Sequence, residues 1–267
     1  MINYREGKTK YSHSKLGSTY IDESKLNDGD PVIYICGQME PKGHVKEAKT
    51  GKTADKNHNN FTGSWMYEYD IKTSDKTIVN GRNMAMSLIK DLEEAKLGDV
   101  TLITGSYGGI IGAYASKSEL IKKVIAVHPP ILGTPIANPK YVRKLQLGYT
   151  KLQKLLLLII SQTNPYAFGF EHENFRGIRG IDLKDVDLNK LLVVGNAIDP
   201  NTEKNPLILQ FYDIVKKVTN QENDGVVIYD EDEFNKLGIN YSTTEEHDNH
   251  LKYANPDNMQ KILRLNR

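Results

Sequence analysis

Ser106 lies in the stretch TLITGSYGGIIGAYA, residues 101–115, where an apolar run breaks and a helix-like pattern begins. A serine hydroxyl is a poor nucleophile until a base takes its proton, so its position in the chain is half of its activation. A tight strand-to-helix turn lifts such an oxygen clear of the backbone, and it needs small neighbours because strand end and helix start nearly touch. Gly105 precedes Ser106, Gly108 and Gly109 follow, and VTLIT and IIGAYASKSEL flank the turn on the expected sides. The chemistry this could serve is attack on a carbonyl carbon, given a histidine to accept the proton and a carboxylate to orient that histidine.

The usual pattern for such a turn is GxSxG, and Thr104 stands where its first glycine would be. Two other readings fit a glycine-rich strand-to-helix turn: a plain tight connection, or a phosphate cradle at a helix N-terminus. TGSYGGIIG is close to the TGxxxGxG run of short-chain dehydrogenases, but the glycine after Gly109 falls at 112 rather than 111, and the motif sits mid-chain. A YxxxK pair, Tyr212 and Lys216, occurs within the amphipathic pattern LILQFYDIVKKV. An NAD(P)-dependent reductase using the TGSYGG turn therefore remains a rival at this point.

The elements that would position Ser106 are legible as alternating strands and helices. VIYIC (32–36), VTLIT (100–104), KVIAV (123–127) and LLVV (191–194) are short apolar runs bounded by turn residues, as buried strands are; GVVIY (225–229) is a weaker fifth. Between the first two, Ala85, Leu88, Ile89, Leu92 and Ala95 recur at helical spacing. This alternation predicts an α/β fold, a mostly parallel sheet with helices on both faces. Residues 1–30 and 41–63 are polar and without period and read as surface extension and loop. The interval 138–188 is longer than a crossover needs and contains KLQKLLLLIISQ, apolar nearly all round.

The 267-residue chain is long enough for one large domain. Its 35 Lys and Arg against 34 Asp and Glu leave a net charge of +1, so no global field favours nucleic acid or an anionic membrane. One cysteine, Cys36, excludes an intramolecular disulfide and any CxxC site. MINYREGKTKYSHSK has no signal-like apolar segment and LLLLII (155–160) is too short to span a bilayer, so the chain reads as soluble and cytoplasmic, with a small-molecule partner.

With three further segments in order, the chain resembles the α/β-hydrolase superfamily, and within it the bacterial triacylglycerol lipases and lipase-like esterases, over roughly residues 31–264. VIYICGQ resembles the strand that ends in HG in those lipases, with Cys36 in place of the histidine and Gly37 kept. The resemblance makes the backbone N–H groups of Gln38 and Tyr107 the oxyanion donors. VIAVHPPILGTPIA is similar to their SPHxGTP-like run, matching at Gly133, Thr134, Pro135 and Ala137; His128 reads as a structural residue. ENDGVV (222–227) resembles the NDGxV run that carries the lipase acid, which points to Asp224; Asp199, just after LLVV, is the second choice. In EEHDNHLKYANPDNMQKIL, the NHL tripeptide and the NPDN before a short amphipathic helix favour His250 as the base over His247. Lys252 occupies the neighbourhood of the aspartate in calcium-binding lipases, so neither metal nor cofactor is expected.

The resemblance implies one hydrolase domain over 1–267, with 1–30 as an extension and about 138–188 as a cap or lid. Leu152, Leu155, Leu156, Ile159 and Ile160 would line an acyl pocket, NPYAFGF (164–170) would be its return, and the cap would make any lipid-surface contact. The expected activity is cleavage of a carboxylic ester or lipid by Ser106, Asp224 and His250 through an acyl-enzyme. Cys36 and Thr104 in place of the usual residues leave a second rival, a hydrolase-fold binding protein with an inactive site.

Overall fold

VTLITG, six consecutive buried residues, has no polar face to show water, and only the centre of a sheet covered on both sides accommodates such a run. That is where it lies. The computed structural model describes residues 2–5, 8–11, 17–22, 32–35, 37, 65–69, 81–94, 96–137, 181–243, 250 and 262. The strands are β1 (Ile2–Arg5), β2 (Lys8–Tyr11), β3 (Gly17–Asp22), β4 (Val32–Ile35), β5 (Trp65–Tyr69), β6 (Val100–Gly105), β7 (Ile121–Val127), β8 (Leu191–Gly195) and β9 (Asn240–Thr243). They form one sheet in the order β1-β2-β3-β5-β4-β6-β7-β8-β9. From β5 to β9 neighbours run parallel, and β1, β2 and β3 add an antiparallel edge.

The helices are α1 (Gly81–Glu94), α2 (Gly108–Ala115), α3 (Pro206–Thr219) and α4 (Glu231–Leu237). In α1 the buried residues include Met84, Ala85, Leu88 and Leu92, the stripe that the 3.6-residue period marks out. All eight residues of α2, GGIIGAYA, are buried, because the helix lies between the sheet and α1. α3 starts at an Asn205 cap that accepts from the Leu207 N–H, with Pro206 in its first turn. Among the described residues no helix is long and apolar enough to cross a membrane.

Three expectations differ from what is observed. Residues 2–22 are not only surface extension: they supply β1 to β3, whose ladders use backbone groups that a polar sequence also carries. β5 and β9 are strands that the reading of apolar runs did not include, and in NYST three of the four residues are polar. GVVIY is not a strand. Gly225 has φ +93°, and the Asp224 side chain accepts the N–H groups of Val226 and Val227, donors that a strand would have offered a neighbour.

Threonine at the first position of the elbow pattern is absorbed locally. Thr104 is fully buried, and a Cβ on Gly112 would come within 2.8 Å of its Cγ2 and 2.9 Å of Val124 Cγ1. The glycine six residues after Ser106 thus supplies the space that Thr104 occupies. Gly112→Ala should cost about 1–3 kcal/mol by overpacking, and Thr104→Ala in that background should recover part of the loss. Urea denaturation of the two single variants and the double variant checks this, and strictly additive costs would refute the contact.

Candidate active site

The site forms at the carboxyl ends of the parallel strands. Ile35 of β4 pairs with Thr104 of β6, Thr104 with Ala126 of β7, and Ala126 with Val193 of β8, so these strands end level with one another. At that edge β6 stops and Ser106 takes φ +48°, a left-handed conformation uncommon outside glycine. Its N–H donates to Val127 O at 2.9 Å, and its carbonyl accepts the Gly109 N–H at 2.9 Å, which starts α2. A Cβ on Gly109 would lie 2.4 Å from Pro129 Cβ, so only glycine allows the helix to leave so close to the segment after β7.

Ser106 Oγ lies 2.9 Å from His250 Nε2, and His250 Nδ1 lies 2.7 Å from Asp224 Oδ2. An ionised carboxylate only accepts hydrogen bonds, so His250 Nδ1 carries the proton of that contact, and whenever the ring is neutral its Nε2 lone pair faces the serine hydroxyl. The hydroxyl therefore donates to His250. Backbone contact holds the histidine as well, its N–H donating to Asp224 O at 3.1 Å. The three predicted residues Ser106, Asp224 and His250 are thus brought into one hydrogen-bonded line from points far apart in the chain.

Asp224 is fully buried on a turn that grips it from its own backbone: Oδ1 accepts the N–H groups of Val226 and Val227, each at 2.8 Å. The turn is docked by the segment after β7, since Thr134 Oγ1 donates to Val226 O and the Ile228 N–H donates to Gly133 O at 3.3 Å. Burial pushes the Asp224 carboxyl up. The charge of His250 and the hydrogen bonds from His128 and His250 outweigh burial and hold it well below the usual carboxylate range.

The remaining candidates fall differently. Tyr107 is buried directly after Ser106 at the N-terminus of α2, and Gly37 is buried beyond the end of β4, beside β6. Gln38 and His247 lie outside the described residues, as do 138–180 with the proposed acyl-pocket leucines. Of the proposed cap only 181–188 is described, and Ile181 and Val186 there belong to the main core. Asp199 turns back on its own loop, its Oδ1 accepting the backbone and side-chain N–H groups of Asn201. Tyr212 and Lys216 both engage Glu222.

His128, read from sequence as structural, touches the site: its Nδ1 is 2.7 Å from the same Asp224 Oδ2. The available signal was its setting in VIAVHPP, since an imidazole closing an apolar strand must find a polar partner inside. His128, Asp224 and His250 together offer three metal-ligand atoms within 4.8 Å of one another. In this structure the two imidazoles meet the carboxylate by hydrogen bonds, each at 2.7 Å.

No protein-family model and no curated protein matches the chain. Solved structures do. Naproxen esterase (carboxylesterase NP) from Bacillus subtilis aligns over 97% of this chain and 92% of its own, with TM-score 0.52 and 13% identity. Carboxylesterase CesB from Bacillus subtilis aligns over 98% and 92%, with TM-score 0.51 and 13% identity. VinJ aligns over 97% of both chains, with TM-score 0.50 and 13% identity. The chain has the α/β-hydrolase fold. In an α/β-hydrolase fold, a serine on a strand-to-helix turn followed in chain order by an acid and a histidine is the arrangement that Ser106, Asp224 and His250 present.

The depressed Asp224 fixes the sign of one pH effect. Its folded-state pKa lies below the unfolded one, so the stabilisation is complete above roughly pH 4, where an unfolded aspartate is ionised, and is lost as pH falls toward the folded value. Asp224→Asn should therefore flatten the acid-side fall in stability. Urea midpoints measured between about pH 6 and pH 2.5 check this, and an equally steep fall in the variant would contradict it.

Proposed function

We propose that this protein is a serine hydrolase that cleaves carboxylic esters through an acyl-enzyme. The observation that carries the reading is the 2.9 Å contact between Ser106 Oγ and a His250 ring whose other nitrogen is held by the buried Asp224. Ser106 attacks the ester carbonyl while its proton passes to His250 Nε2. The tetrahedral oxygen is held by the N–H groups of Tyr107 and Gln38, and His250 then gives the proton to the departing alcohol. Water, deprotonated by the same nitrogen, attacks the acyl-serine; the carboxylic acid leaves, and Ser106 takes the proton back from His250. Asp224 stabilises the imidazolium without taking its proton.

The esterases among the similar structures support ester chemistry, and the resemblance of residues 123–137 and 222–227 to lipase segments supports a lipase-like substrate. The segment 138–188 would then cover the acyl chain in a single domain, and any contact with a lipid surface would be made there. The reductase alternative loses its YxxxK pair, whose two side chains are both occupied by Glu222.

A fluorophosphonate probe should label wild-type protein at Ser106 and leave Ser106→Ala unlabelled. Hydrolysis of p-nitrophenyl acetate should fall at least about 10³-fold in Ser106→Ala and His250→Ala. An unlabelled wild type would overturn the hydrolase reading. Comparison of the acetate with a long-chain ester tests the lipase-like substrate, which fails if only the acetate turns over.

A further inference from the structure

Two adjacent strands end in the same unusual way. At the end of β6, Ser106 has φ +48° and donates its N–H to Val127 O at 2.9 Å; at the end of β7, His128 also has φ +48° and donates its N–H to Val194 O at 2.8 Å. A left-handed conformation is strained for a non-glycine residue and persists only where its surroundings demand it. For Ser106 the demand is projection of the hydroxyl. For His128 the bend brings an imidazole, 2% exposed, onto Asp224 Oδ2 at 2.7 Å, the same oxygen and the same distance as His250.

Asp224 Oδ1 is pinned by two backbone N–H groups of its own turn. That leaves rotation about the pinned oxygen as the motion open to the carboxylate, and Oδ2 is the atom that would swing. His250 keeps its Nδ1–H on Oδ2 throughout the proposed reaction, but it cannot be the independent anchor, because it is the ring that this oxygen has to hold in place. His128 can. Its ring is not in contact with the serine hydroxyl in any hydrogen bond of the site, and an ionised carboxylate forces its proton onto Nδ1. The loop it begins also docks the Asp224 turn through Gly133 and Thr134.

We infer that His128 is a positioning residue: it fixes Asp224 Oδ2 so that the carboxylate holds His250 in line with Ser106 throughout turnover. This role rests on the hydrolase reading above. It acts through Asp224 and His250 and touches no reacting atom, so its removal should lower kcat and leave KM nearly unchanged.

The test compares His128→Asn, whose amide N–H can take the place of the Nδ1–H, with His128→Leu, which has similar bulk and no donor. Fluorophosphonate labelling of the wild type, urea midpoints, and kcat and KM on p-nitrophenyl acetate are measured together. H128L should lose on the order of 10- to 100-fold in kcat with KM within about twofold, and H128N should recover most of that loss. Where H128L does not fold, H128Q, which carries its amide one methylene too far out, takes its place with the same expected loss. A labelled wild type with unimpaired H128L or H128Q, or with a folded H128N as slow as H128L, overturns the positioning role alone. An unlabelled wild type overturns the hydrolase reading and this role with it.

Discussion

A fully buried negative charge has to be surrounded by donors or it will not stay charged. Asp224 has four: the N–H groups of Val226 and Val227 on one oxygen, and His128 and His250 on the other. They come from three separate parts of the chain, the turn itself, the end of β7 and the stretch after β9. Satisfying one carboxylate therefore ties the centre of the sheet to the region that follows its last strand, and the position of His250 over Ser106 is a by-product of that satisfaction.

The sheet contributes level strand ends. β4, β6, β7 and β8 stop together. At β6 and β7 the turn is a single left-handed residue whose N–H bonds the next strand, so the bend is part of the ladder and is held by it. Close approach then follows: α2 passes the segment after β7 at Gly109 and the centre of the sheet at Gly112, and it can be fully buried because those two positions carry no side chain.

The parts legible in the sequence were those with a one-residue or one-segment signature. β6 and the later residues of β7 and β8 are runs of consecutive buried residues and could be read as central strands; Ser106 stands out by the glycines around it; Asp224 and His250 stand out through short runs resembling lipase segments. What was not legible depends on pairing. β1, β2, β3, β5 and β9 are strands because a neighbour offers a ladder, and β9, NYST, has no pattern that says so. GVVIY has the composition of a strand and becomes a turn because an aspartate next to a glycine captures the local N–H groups. His128 is 96 residues from its partner, and nothing in VHPP says which carboxylate it meets.

Chain order has a consequence for biosynthesis. Every described strand of the sheet and the acid precede residue 250, so a nascent chain folding from its N-terminus can complete the bend at Ser106 before the imidazole that faces it has been made. Until then the hydroxyl is an ordinary alcohol.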